Sequence, residues 1–252
     1  NADDLHKKFA KNLLDWYHRG FPQFGKKGCG IGDQIRWALN DERYGSEPLT
    51  VTKGIWEEQE YEIRENGALM RTGIIGCLFN NHDQIAEIAT HFTLVTHYDP
   101  CCVTVSIFQS LLVRALLDRK TSNVLNIIKS VLENTKKYVN TDSHCYLSSL
   151  LEPVINGDYD PQTIEIDHPY YRGTIDCSLP VAIWGLLQVK YKTYTSIINL
   201  IAKFGGDADT NCAICGILLG AFFCAGDLPS DYKKLNIKMI SEIIYGSRQT
   251  NI

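Results

Sequence analysis

The sequence predicts an all-α fold, on three observations. Apolar residues recur at helical spacing through most of the chain, short strand–helix alternation is absent, and Gly- and Pro-bearing stretches separate the periodic segments. The first helix is predicted over 3–20, where Leu5, Phe9, Leu13, Trp16 and Tyr17 share a face and Gly20 can stop it. Loops are predicted over 21–33 and 41–55. Ile85, Ile88 and Phe92 mark a helix over 82–97. A long apolar helix follows over 101–119, then an amphipathic one over 122–139. The stretch 140–176, with Tyr, His, Asp and Pro, is predicted as a long loop bordering a site. Helices over 178–189, 194–206, 210–226 and 231–246, with a loop over 225–230, complete the set. Residues 1–252 are read as one compact helical domain.

Composition narrows the function classes. With 252 residues and 44% apolar content the chain can bury a sizeable core. A net charge of −4 leaves no electrostatic footprint for nucleic acid, and the Lys26-Lys27 and Lys136-Lys137 pairs read as solvated surface. No run of 18 uncharged apolar residues suggests a membrane span, and no amino-terminal signal peptide is visible. Nine cysteines, an odd number, sit mostly among apolar neighbours, which predicts a reducing, cytoplasmic setting rather than a disulfide scaffold. Cys212 and Cys215 have CxxC spacing, but no second ligand pair lies nearby, so they read as packing. Cys101-Cys102 reads the same way.

Three stretches carry chemistry. In "GGDADTNCAICGILLGAFF", Asp207, Asp209 and Thr210 stand at the head of an apolar helix, directly after two glycines. One Asp there can cap the helix. Two Asp and a Thr can also converge oxygens on a hard cation. Both readings stand at this point. In "ENGALMRTGIIG", Asn66-Gly67 signals a turn, an Asn side chain suits sugar hydroxyls, and Arg71 is a charge among apolar residues that needs a partner. The plainer alternative is a turn with a structural ion pair. In "THYDPCC", His97 and Asp99 close one helix and Pro100 opens the next, and His97 is either structural or functional.

Together, "NGALMRTGIIG", "THYDPCCVTVSIFQSLLVRALL" and "GGDADTNCAICGILLGAF" resemble, in the same order, motifs of the ADP-ribosylglycohydrolase family, which includes dinitrogenase-reductase-activating glycohydrolase and the ADP-ribosylarginine hydrolases. "FAKNLLDWYHRGFPQFGKKGCGIGDQIRWALN" and "GTIDCSLPVAIWGLL" resemble its early helix and loop and its late helix. The resemblance covers residues 5–245. It implies an all-α hydrolase that cleaves the glycosidic bond between ADP-ribose and a protein side chain or small acceptor. It further implies that Asp207, Asp209 and Thr210 ligate magnesium or manganese in a two-cation site, with Asp207 and Asp209 serving catalysis. Asn66, Gly67, His97, Gly173 and Thr174 would line the ADP-ribose site. The alternative is a non-catalytic relative, an ADP-ribose-binding module or a structural subunit of a larger assembly. The family's amino-terminal Thr-Asp-Asp motif has no match here. The expectation is therefore a chain without its amino-terminal portion, weak or inactive as a hydrolase by itself. Glu65 stands where the family often has Gly, and an anion there is expected to narrow the loop and repel a diphosphate.

Overall fold

The computed structural model describes residues 2–21, 27–28, 30–62, 64–119, 121–164 and 166–224. Helices account for nearly all regular structure: α1 (Ala2–Arg19), α2 (Asp33–Asn40), α3 (Pro48–Glu58), α4 (Leu69–Thr72), α5 (Ile75–Leu78), α6 (His82–Leu94), α7 (Pro100–Leu117), α8 (Val124–Thr135), α9 (Thr141–Asn156), α10 (Ile175–Leu187), α11 (Tyr194–Lys203) and α12 (Ala208–Phe223). Among the described residues there is no strand, only an isolated antiparallel bridge between Glu65 and Thr174. The all-α expectation holds.

The core is organised around α7. Asp99 caps it by accepting from the Cys101 and Cys102 N–H groups, and Pro100 opens it. Nearly every residue that follows is buried, against α5, α6, α8, α9 and α12. Two of its hydroxyls find carbonyls: Thr104 donates to the Pro100 carbonyl, and Ser110 to the Ser106 and Thr72 carbonyls. Among the described residues α7 is the one helix long and apolar enough to cross a membrane by length and composition. The sequence reading required an uncharged run, and Arg114 interrupts it. In the fold 78% of the helix is buried.

A second apolar cluster joins α1, α2 and α3 through Ala10, Ile35, Ala38, Leu39, Tyr44 and Val51. It is tied to α6 by the Tyr44 hydroxyl on the Val95 carbonyl and the Thr52 hydroxyl on the Leu94 carbonyl. Phe9 stacks on Phe92 with ring centroids 4.1 Å apart.

Two predicted loops are corrected. The 41–55 loop gives way to α3 at Pro48, because buried Val51 and Thr52 outweigh the weak helix propensity of its Thr and Gly residues. The long 140–176 loop shrinks to 157–174. Asn140 caps α9, His144, Leu147, Leu151 and Val154 form its buried stripe, and Gly157 ends it in the left-handed region at φ 86°. Polar Thr, Ser and His residues and the internal Pro153 had masked that stripe. The helix predicted over 231–246 and the loop over 225–230 lie outside the described residues, as does the end of the segment predicted to reach 226.

Candidate active site

The 157–174 loop, the turn after Arg64 and the start of α12 meet at one side chain. Asn66 is buried, and its Nδ2 donates to Asp207 Oδ2 at 2.7 Å and to Ser178 Oγ at 2.8 Å. Its backbone N–H donates to the Gly173 carbonyl at 2.9 Å, and the Ile175 N–H donates to the Arg64 carbonyl at 2.9 Å. These bonds zip residues 64–66 to 173–175. The Gly173 Cα also faces the site: a Cβ built there would stand 3.8 Å from Asp207 Oδ2. Thr174 caps α10, and its hydroxyl donates to the Tyr171 carbonyl at 2.7 Å. Residues far apart in sequence thus share one hydrogen-bonded centre.

Asp207 bears on the choice between cap and ligand. It stands at the N-cap position of α12, yet its side chain makes no capping bond. The carboxylate turns to Asn66 instead. Asp209, in the first turn of α12, is exposed, and Thr210 is half-buried. These are oxygen donors of the kind that suits a hard cation. Among the described residues, however, no three His, Cys, Asp or Glu side chains gather to hold a metal ion. The donor chemistry fits magnesium or manganese, and Asp207, Asp209 and Thr210 are the side chains that would contribute ligands to such an ion.

Beneath the Asn66-Gly67 turn lies a buried polar support. A Cβ at Gly67 would come within 2.9 Å of Ile35 Cδ1 and 3.1 Å of His97 Cε1, so this close approach requires glycine. His97 is fully buried, with Nδ1 2.7 Å from the Thr96 hydroxyl. Burial, then the neighbouring Arg71 charge, hold its imidazole well below the usual histidine range. His97 therefore carries no charge at neutral pH and underlies the turn, closed to solvent. Among the described residues Arg71 has no ion-pair partner. Its guanidinium donates to the Gly67 carbonyl, to the Phe92 carbonyl at 2.8 Å and to the Thr96 hydroxyl at 2.6 Å. Burial lowers its pKa to about 10. It braces the carbonyl of the Asn66-Gly67 turn against the end of α6.

Glu65 sits at the start of α2. Its Oε1 lies 3.5 Å from the Gln34 N–H, and its Oε2 would be 2.4 Å from a Cβ on Gly32. Burial raises its pKa. The carboxylate thus serves the free amides of α2, a helix whose own N-cap, Gly32, has no side chain to offer.

Sequence reasoning missed two contributors. Ser178 was quoted within a matched motif, but nothing in its spacing marked it as Asn66's second acceptor. Asp167, whose Oδ1 accepts from the Gly206 N–H at 2.6 Å, lies in a loop with no periodic signal. The CxxC pair is packing: Cys215 is buried, with its Sγ 2.6 Å from where a Gly185 Cβ would stand. All eight described cysteines are free.

A protein of Acanthamoeba polyphaga mimivirus, provisionally named an ADP-ribosyl glycohydrolase, is 29% identical over 174 residues, 63% of this chain and 49% of its own length. The chain spans about half the length of that curated relative. A sequence profile described as ADP-ribosylglycohydrolase matches residues 1–245, nearly the whole chain, including every residue of the hydrogen-bonded centre above. On that match, the chain belongs to the ADP-ribosylglycohydrolase family.

Proposed function

We propose that this protein is a hydrolase that releases ADP-ribose from a modified protein side chain or a small acceptor by cleaving its glycosidic bond. The observation that carries the reading is the convergence on Asn66: in a chain of this family, its amide joins Asp207 of the α12 start to Ser178 of α10. Asn66, Gly67, Gly173 and Thr174 would line the ribose side of the site, with His97 supporting them from below. Water would attack the anomeric carbon, the bond to the acceptor would break, and the departing group would take up a proton. The transition state carries positive, oxocarbenium-like charge, which nearby carboxylates stabilise. Asp207, oriented by Asn66, is the better placed for this, and Asp209 adds negative charge in the first turn of the helix.

We further propose that Asp207, Asp209 and Thr210 contribute ligands to a divalent cation, magnesium or manganese. Such an ion, when bound, would polarise ribose hydroxyls and help supply hydroxide. A reducing, cytoplasmic setting is proposed from the free cysteines. A second reading, ADP-ribose binding without turnover, is favoured by one observation: no third acidic, His or Cys side chain joins Asp207 and Asp209 among the described residues.

One experiment separates the readings. ADP-ribose is titrated by calorimetry with and without magnesium, and release of ADP-ribose is measured from modified arginine, modified serine and a small-molecule conjugate. Turnover that EDTA stops, and that Asp209→Ala removes, supports the hydrolase. Binding without turnover supports the second reading, and neither binding nor turnover overturns both.

A further inference from the structure

The 157–174 loop grips both partners of the Asn66–Asp207 bond. At one point the Gly173 carbonyl accepts from the Asn66 N–H at 2.9 Å. At another, Asp167 Oδ1 accepts from the N–H of Gly206, the residue before Asp207, at 2.6 Å. Gly205 and Gly206 both adopt left-handed backbone, at φ 81° and 67°. Such a turn leaves the Gly206 N–H outside any helix, and Asp167 supplies its acceptor. Ile166 completes the grip. It is buried although Asp167 beside it is exposed, and a Cβ on Gly206 would stand 2.4 Å from its Cγ2 and 3.0 Å from its carbonyl oxygen. Gly206 therefore fits because it has no side chain, and the turn is seated on Ile166 and latched by Asp167.

We propose that Asp167 is a positioning residue. By holding the Gly206 N–H it fixes the Gly205-Gly206 turn, and through that turn it sets the angle at which the Asp207 carboxylate meets Asn66. Asp167 is itself exposed, so its contribution to overall stability is small and its effect is local. The claim that it matters for ligand rests on the proposed ADP-ribose reading; the claim that it orients Asp207 does not.

The test uses the 252-residue chain with Asp167→Ala and Asp167→Asn. Three quantities are read for each: the proton–nitrogen resonances of the Gly206 backbone and the Asn66 side-chain amide, the ADP-ribose Kd, and the Tm. In Asp167→Ala both resonances shift, ADP-ribose binding weakens by about tenfold, as expected for loss of one hydrogen bond, and Tm stays close to that of the unchanged chain. Asp167→Asn keeps a carbonyl acceptor and recovers most of the affinity. A purely structural role would lower Tm while leaving the Asn66 side-chain resonance in place, and that result overturns the proposal. Equal loss of affinity in both variants overturns it too, since charge rather than the hydrogen bond would then be responsible. Should the unchanged chain bind no ADP-ribose, the functional reading fails, and the Asn66 resonance alone decides whether Asp167 positions Asp207.

Discussion

Replacing Asn66 by aspartate perturbs the centre of the site with almost no change of shape. The Asn66 Nδ2 donates to Asp207 Oδ2 at 2.7 Å and to Ser178 Oγ at 2.8 Å, and the side chain is buried. The substitution removes both donors and sets one carboxylate against another. Loss of the charge-assisted bond alone costs about 1.5–3 kcal/mol. Two full charges at that separation would repel by on the order of 6 kcal/mol at an effective dielectric constant of 20. The introduced carboxyl escapes that cost by keeping a proton above its ordinary pKa of about 3.9. Its folded-state pKa is thus raised above the unfolded value. The stability it contributes is present below pH ~4 and is lost as pH rises through the folded value. The Asn66→Asp chain is therefore expected to be about 3 kcal/mol less stable than the unchanged chain at pH 7.5, a Tm lower by roughly 6–12 °C, with a smaller gap at pH 5. Asn66→Ala is destabilised without that pH dependence. Thermal and urea unfolding at the two pH values measure both gaps. An Asn66→Asp gap that is equal at pH 5 and 7.5, or absent, would refute the placement of Asn66 against Asp207.

Other predictions follow from the same geometry. Arg71→Lys cannot hold the Gly67 and Phe92 carbonyls and the Thr96 hydroxyl together, and is expected to lose about 2–4 kcal/mol in urea unfolding. Gly206→Ala is expected to cost roughly 2–5 kcal/mol, from left-handed backbone plus the clash with Ile166. Gly30→Ala, at φ 70° with open space around it, should lose only about 1–2 kcal/mol in the same assay. His97 has a folded pKa depressed below its unfolded value, so it gives stability that is present above pH ~6.5 and lost as pH falls. His97→Gln is expected to flatten that part of the acid limb of a stability–pH curve. In a turnover assay, Asp207→Ala is expected to lower ADP-ribose release by at least about 10²-fold.

Much of this was legible in the sequence where one physical rule dominated. The segment 82–97 became a helix because its apolar spacing matches one buried face, and 101–119 because it is apolar enough to be buried nearly all round. The Asn66, Gly173 and Asp207 stretches were legible as motifs, and the fold brings them together. What stayed hidden was set by contacts across the fold. The α9 stripe was masked by polar residues between its buried positions. Arg71 invited an acidic partner, yet its terminal nitrogens donate to two carbonyls and a hydroxyl at the Gly67 turn and the end of α6. By sequence His97 could be structural or functional, and its burial beneath Gly67 shows that it underlies the turn. The Glu65 carboxylate reaches the start of α2, a contact that no local pattern encodes.

The start of α12 shows what the chain gives up for its site. Asn81, Asp99, Asn123, Asn140, Thr174 and Thr193 each accept from an amide in the first turn of the helix they precede. Such a cap is worth about 1 kcal/mol. Asp207 has the same position and a suitable side chain, but does not cap. A capping carboxylate such as Asp99 is engaged by two backbone amides and also meets Trp56 and Arg64. Among the described residues Asp207 shows a single side-chain donor, Asn66, which leaves most of its lone pairs for another group. The amides it leaves unengaged keep the positive end of the helix dipole beside both Asp207 and Asp209, where it favours negative charge. The missing cap is a departure from local rules of the kind expected at a functional site, and it fits the role proposed for the Asp207 carboxylate. A helix built only for packing would have used Asp207 as its cap.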